Sequence, residues 1–431
     1  MTGCGNKLAR TAGGVGLLVC LAFGGITPAE DEVARGDALF RAGQFAEAEK
    51  AYAAARTAGA RSFEATVRLG EIALLGNRFP EAERLLQEAI AMQPDTPRPK
   101  ELLAEAFCRQ DKFAQAAELV KQVGPEAEAA KLSSFQGSAP YEIAGATDAA
   151  HVKFVRTDPL PVIRARFNGK EEGLLLVDTG ASELYLDKAL VEKLALSRFG
   201  STTGMYAGGR TAEVGHARLD SIQLGDLEVR NVPVVVRSGG AMLRLPDQEP
   251  PVGVIGTVMF YHFFTTLDYP QGELVLRRRT DVRRAEVERL AQDSRTHVVP
   301  FWMAGTHTMV AWGKVNDSPP LLMFADTGLA GGGFLCPEST LKDAGIDISG
   351  LPSFQGMGGG GPVTVTPFKI ERLSFGAATA SGITGFFGGF PPASEYDKGF
   401  RVGGIISHEF FKRFALTFDF EKMRFLLTPA P

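Results

Sequence analysis

Two Asp-Thr-Gly triplets, Asp178-Thr179-Gly180 and Asp326-Thr327-Gly328, stand 148 residues apart, and each closes an apolar run. The runs are Leu174–Val177 and Leu321–Ala325. An apolar run ending in a small, turn-forming triplet reads as a buried strand that delivers one carboxylate into a tight turn. Two carboxylates brought within hydrogen-bonding distance cannot both ionise readily, so one keeps a proton. The ionised member can then take a proton from a water held between them, while the protonated member polarises an electrophile. One such triplet alone often marks only a turn after a strand. The same device twice in one chain points to a carboxylate pair.

The elements around the triplets repeat as well. Asn168-Gly169 and Asn316-Asp317 keep the 148-residue offset and read as hairpin turns. Further on the offset becomes 151: Ile222–Gly225 corresponds to Leu373–Gly376, Gly253–Gly256 to Gly404–Ser407, and Leu267–Tyr269 to Phe418–Phe420. Three extra residues therefore fall between the second triplet and Gly376. The copies differ at three places near the triplets. Ser182 corresponds to Ala330, Gly256 to Ser407, and Glu183-Leu184-Tyr185 to Gly331-Gly332-Gly333. Between the copies, the Arg-rich stretch Arg277–Arg295 is expected to form a short connecting helix.

The triplets, with the apolar strand Val254-Ile255-Gly256 and its altered copy Ile405-Ile406-Ser407, resemble the pepsin-like and retropepsin-like aspartic peptidases over roughly residues 151–431. The resemblance implies a mostly-β bilobal domain in which each lobe gives one aspartate. It implies an endopeptidase whose water is activated by Asp178 and Asp326, without a cofactor, a metal or a covalent intermediate. It assigns support of the dyad to Thr179, Gly180, Ser182, Thr327 and Gly328: the threonines bond across the lobes, the glycines admit the facing loop, and Ser182 donates to Asp178. It places a flap at Gly204–Gly209, with Tyr206 and Gly208 toward the substrate. Met357–Gly361 is the matching loop of the second copy, and it lacks the Gly-Lys-Ser ending of a phosphate loop. Without a hydroxyl at Ala330 the pair loses a donor, so activity is expected to reach from acid toward neutral pH. Two other readings of the same residues stay open. One is a peptide- or protein-binding adaptor that keeps the fold and has lost turnover. The other pairs each lobe with a lobe of another chain.

Upstream, a 34-residue period relates Phe45, Phe79 and Phe113, then Ala48, Ala82 and Ala116, then Tyr52, Leu86 and Val120. Paired helices with a small residue at one packing point and an aromatic at another resemble the tetratricopeptide repeat. Three units imply either a protein-binding array or a spacer. The fold class is therefore multidomain: an all-α tetratricopeptide-repeat array followed by a mostly-β bilobal aspartic-peptidase-like domain. The expected segments are a signal peptide (1–29), repeats (32–132), a small-residue linker (133–150), lobe 1 (151–285) and lobe 2 (286–431).

Lys7 and Arg10 precede the apolar stretch Val15–Phe23, which is too short to span a bilayer. This implies export to the periplasm or the exterior, with cleavage after Gly24 or Ala29. An uncleaved segment would instead anchor the chain to a membrane. A lipid on Cys20 is disfavoured by the bulky Val19 before it. Of the four cysteines, Cys4 and Cys20 leave with the signal, and Cys108 and Cys336 lie too far apart in the pattern to suggest a disulfide. Six scattered histidines form no metal motif, and a net charge of -4 argues against nucleic acid or anionic membrane as main partner. The expected partners are a peptide or protein substrate and a protein bound by the repeats.

Overall fold

The computed structural model describes residues 28–59, 62–206, 210–237, 249–358 and 361–430. The expected signal peptide lies almost wholly outside the described residues.

Seven helices come first. The three repeat units are α1 (Pro28–Arg41) with α2 (Phe45–Thr57), α3 (Ser62–Leu75) with α4 (Phe79–Met92), and α5 (Pro97–Cys108) with α6 (Phe113–Val123). A closing helix, α7 (Glu126–Ser133), follows. The periodic phenylalanines are the first residues of α2, α4 and α6, and the periodic alanines are fully buried. The period has two further marks. Gly36 and Gly70 take the Tyr52 ring and the Leu86 side chain so closely that a Cβ would lie 2.7 and 2.9 Å from them. Gly43, Asn77 and Asp111 turn each pair with positive φ, a conformation that Gly, Asn and Asp adopt more readily than other residues.

Lobe 1 begins with β1 (Glu142–Ala144), β2 (Ala149–Lys153), β3 (Val162–Phe167), β4 (Glu171–Val177) and β5 (Leu184–Asp187). It continues through α8 (Lys188–Lys193), β6 (Ser197–Tyr206), β7 (Arg210–Leu224), β8 (Leu227–Arg237) and β9 (Gly253–Ile255). It ends with α9 (Thr257–Phe260), β10 (Phe263–Asp268) and β11 (Glu273–Arg278). The connecting helix is α10 (Asp281–Gln292), its first turn capped by the Thr280 side chain. Lobe 2 opens with β12 (His297–Pro300), β13 (Trp302–Ala304), β14 (Thr308–Val315), β15 (Leu321–Ala325) and β16 (Phe334–Cys336). Then come α11 (Glu338–Asp343), β17 (Phe354–Gly358), β18 (Gly361–Phe375) and β19 (Ala378–Phe387). The last elements are β20 (Gly404–Ile406), α12 (His408–Phe411), β21 (Phe414–Asp419) and β22 (Arg424–Pro429).

Each lobe has its own eight-stranded sheet, ordered β1-β8-β5-β9-β4-β3-β7-β6 and β13-β14-β15-β20-β16-β19-β18-β17. A six-stranded sheet, β12-β22-β21-β10-β11-β2, joins them. At its centre β10 pairs antiparallel with β21, and the Thr266 and Thr417 hydroxyls, equivalent residues of the two copies, meet at 2.7 Å. That contact marks an internal pseudo-twofold axis. The Asn168-Gly169 hairpin forms as expected, with φ of 49° and 65°.

Two segment expectations are revised. The boundary at 285/286 falls inside α10. Residues 133–150 do not form a free linker, because β1 pairs with β8 and β2 enters the joining sheet. Phe135 and Tyr141 anchor the segment on Phe113, with ring centroids at 5.2 and 6.4 Å. Two aromatics in a small, polar stretch are easily overlooked in composition, yet each buries a large apolar surface.

The repeats lie along both lobes. Phe40 and Phe45 pack on Phe400, and Phe45 on Trp302, so one apolar core runs from the first unit into lobe 2. Asn77 donates to the Phe420 carbonyl, and His262 pairs with Asp111 at 2.9 Å. At the far end α7 packs on β6 and β7 of lobe 1.

Candidate active site

Strand pairing delivers the two triplets. β4 runs parallel to β9 and β15 parallel to β20, with Val177 opposite Ile255 and Ala325 opposite Ile406. The backbone N–H groups of Asp178 and Asp326 donate to the carbonyls of Ile255 and Ile406 at 3.2 and 3.0 Å. Each chain therefore leaves its strand at the aspartate, in the same pose in both lobes.

The threonines lock the two turns together. Thr179 N–H donates to Thr327 Oγ1 at 3.1 Å, and Thr327 N–H donates to Thr179 Oγ1 at 3.0 Å. The hydroxyls donate in turn to the carbonyls of Ala325 and Val177, at 2.8 and 3.3 Å. Both threonines are fully buried. Gly180 and Gly328 donate to the Oδ1 atoms of their own aspartates at 2.7 Å. They are required as glycines: a Cβ on Gly180 would lie 2.5 Å from the Asp326 carboxyl, and one on Gly328 within 2.4 Å of the Asp178 carboxyl atoms.

The carboxyls of Asp178 and Asp326 hydrogen-bond to each other. Burial pushes both above the usual carboxylate range, and the negative charge of Asp178 pushes Asp326 further. The Asp326 carboxyl, the N–H groups of Gly180 and Ala181 and the Arg237 cation work the other way on Asp178. Both carboxyls are therefore held toward the protonated form, and their titration belongs to the two residues together.

The structure brings together Asp178, Asp326, Thr179, Gly180, Thr327 and Gly328. It does not bring Ser182 to Asp178, because the Ser182 hydroxyl faces the Tyr185 hydroxyl at 3.3 Å. The loop carbonyls point at Gly256, and the side chain is carried to the outer side, toward β5. A hairpin forms from β6 and β7 at the expected place, with Tyr206 opposite Arg210. Gly208 and the Tyr206 side chain lie outside the described residues. Lobe 2 has the corresponding hairpin, β17 with β18.

Ser407 turns out to support its triplet. Its buried hydroxyl accepts the Leu329 N–H at 3.1 Å. In lobe 1 that room does not exist: a Cβ on Gly256 would stand 2.5 to 2.7 Å from the carbonyls of Glu183, Ala181 and Ser182. The difference is loop length. Residues 181–183 join Gly180 to β5, whereas residues 329–333 join Gly328 to β16. Two of the three extra residues of the second copy are thus located, and Gly333, which the sequence offset matched to Tyr185, stands where lobe 1 has Glu183. Ser407→Gly, which copies lobe 1, is expected to destabilise the protein by about 1–3 kcal/mol, the usual loss for a buried N–H left without an acceptor. Urea denaturation of the variant measures it, and an unchanged midpoint would remove Ser407 from the support.

Other neighbours carry no periodic signal. Thr257 donates to the Thr179 carbonyl at 2.8 Å and steadies the first turn. Its counterpart His408 instead reaches across the lobes to Asp158, at 3.1 Å. Tyr269 stacks edge-on to His408, and its buried hydroxyl finds no hydrogen-bond partner among the described residues. Burial and the nearby charges of Asp178, Asp158 and Asp326 raise its pKa, which keeps it neutral beside the pair.

The aspartyl protease family model matches residues 163–258, from β3 into α9. The tetratricopeptide repeat model matches residues 33–97 and 75–130. The chain joins tetratricopeptide repeats to an aspartyl-protease fold. Among solved structures, a retropepsin-like aspartic protease from Rickettsia conorii is 20% identical, with 31% of this chain and 90% of that chain covered and a TM-score of 0.22. No curated protein matches this chain. The family model reaches only lobe 1 of the aspartyl-protease fold; lobe 2 is tied to it by the pseudo-twofold contacts of Thr266 with Thr417 and of Thr179 with Thr327.

Proposed function

We propose that this chain is an aspartic endopeptidase in which Asp178 and Asp326 together activate a water for peptide-bond hydrolysis. The observation that supports this most is the interlocked pair of turns, in which each aspartate carboxyl lies against the glycine of the facing triplet. The ionised carboxylate takes a proton from the water, and the protonated one donates to the scissile carbonyl oxygen. As the C–N bond of the tetrahedral species breaks, the proton taken from the water passes to the leaving amine, and a gem-diol hydroxyl returns a proton to the other carboxylate. An extended peptide would lie between the β6–β7 and β17–β18 hairpins and bond through its backbone. Because both triplets come from one chain, a monomer suffices. The N-terminal sequence supports an exported protein, and the repeats support a protein partner.

One observation favours the adaptor reading, in which the fold binds peptides without turnover: the family model stops within lobe 1. Incubating the full chain with a peptide library across pH and analysing products by mass spectrometry separates the two. Cleavage is expected from acid into the neutral range. Activity needs one proton on the pair, and raised pKa values move both limbs of the profile upward. A profile confined below about pH 4, the unperturbed aspartate value, would contradict the raised pKa values of the pair. Absence of any product at every pH would favour the adaptor.

A further inference from the structure

Lys131, on α7, is only 4% exposed and places its ammonium 2.7 and 2.9 Å from the two carboxylate oxygens of Glu183. Glu183 is the last residue of the short loop that leads from the first triplet into β5. On its inner side this loop is already fixed. Thr257 and Val258 donate to the carbonyls of Ala181 and Ser182 at 2.9 and 2.8 Å, and Gly256 leaves no free space behind them. Lys131 holds it from the outer side. The same helix packs on β6 of the flap hairpin, where Ala127 would lie 3.1 Å from a Cβ on Gly200.

We propose that Lys131 is a positioning residue: through Glu183 it sets the loop that presents Asp178, so that the helical repeats hold one half of the carboxylate pair in place. Stability alone is a poor reason for such a contact, since a buried ion pair often contributes little against an apolar replacement. The two lobes also differ at this point. Lobe 2 has Gly333 in the position of Glu183, and the Ser407 hydroxyl holds its loop from within. Among the described residues, the ion pair from the repeats to a triplet loop is made to lobe 1. The Lys131 cation keeps its charge despite burial because Glu183 and Glu128 face it.

The proposal rests on the peptidase reading for its rate effect, and its test separates the two. Lys131→Met leaves the part-buried Glu183 carboxylate without its cation and lowers stability for that reason alone. The double variant Lys131→Met/Glu183→Gln removes both charges and is expected to melt near the parent. If Lys131 positions the loop, the double variant still loses kcat by roughly 10²-fold, the scale of a small misplacement of a reacting group, with KM little changed. Recovery of kcat together with the melting temperature overturns the proposal. A second measurement does not depend on turnover. Amide hydrogen exchange in segment 178–187 of the full chain is expected to rise on the order of 10-fold in the double variant, and unchanged exchange there overturns the proposal. A parent protein that cleaves no peptide would sink the peptidase reading, and exchange would still decide the role of Lys131.

Discussion

Asp326→Asn is expected to lower peptide hydrolysis by on the order of 10²- to 10⁴-fold, the usual contribution of a positioned acid or base, and to make the protein more stable at neutral pH. The two effects have one origin. Asp326 is held well above its ordinary value, 3.8, first by burial and then by the negative charge of Asp178. In the unfolded chain it releases its proton near that ordinary value; in the folded chain it retains it to higher pH. Within that window the folded state binds more protons than the unfolded state, so stability falls as pH rises. Below the window both states are protonated and the group contributes nothing. Above the folded pKa the penalty is complete and constant. An amide neither ionises nor repels Asp178, so it removes the penalty and leaves the Gly328 and Thr327 contacts of the turn in place. Melting temperatures of parent and variant should coincide near pH 3 and separate, with the variant higher, as pH increases. Asp178→Asn should behave in the same direction. Normal cleavage by either variant would exclude a shared catalytic pair, and a melting difference independent of pH would exclude the raised pKa.

Periodicity made the halves of this site legible, and contacts without periodicity kept the rest hidden. The triplets, the Asn168-Gly169 turn and the 34-residue spacing all record a unit that recurs, so each copy corroborates the other. Thr179 and Thr327 follow from that symmetry, because equivalent residues meet at the axis. The structure shows Thr266 and Thr417 meeting there as well. In the sequence Ser407 is only a departure from Gly256, because its partner, the Leu329 N–H, belongs to a loop whose two extra residues cannot be placed from offsets alone. Ser182 misled for the opposite reason: proximity in sequence to Asp178 says nothing of the direction of its side chain, which the carbonyls around Gly256 decide. Lys131 and Glu183 come from different architectures and share no period. The same holds for His408 with Asp158, which lie 250 residues apart. The repeats were legible as helices, whereas their docking depends on apolar residues such as Phe400, whose hydrophobic character fits an ordinary core equally well.

That docking leads to the second large expected effect. Arg109→Met should destabilise the whole protein by about 3–5 kcal/mol, the range found when one member of a buried ion pair is removed. The Arg109 side chain is 1% exposed and binds Glu105 within α5. It also donates to the Leu74 carbonyl at 2.9 Å, to Asn77 Oδ1 at 3.1 Å and to the Met303 carbonyl at 2.8 Å, and it reaches the Gly305 carbonyl. One guanidinium thus satisfies acceptors from two repeat units and from the β13–β14 turn of lobe 2, and methionine satisfies none of them. The planar fork of donors makes arginine hard to replace here. The only two tryptophans, Trp302 and Trp312, both lie in lobe 2, and Trp302 sits 5.3 Å from Phe45 of the first unit. Tryptophan fluorescence therefore reports lobe 2 and its contact with the repeats, while circular dichroism at the helical minimum reports mainly the repeats. Because the apolar core is continuous from Phe40 and Phe45 through Phe400 into lobe 2, the two signals should lose structure together in urea. In Arg109→Met both midpoints should fall. If only the helical transition moves and the fluorescence transition stays where it was, the repeats are a separate unit resting on the aspartyl-protease fold. If both move by the same amount, the helices and the lobes fold as one body, and the carboxylate pair depends on a structure that begins more than a hundred residues before its first triplet.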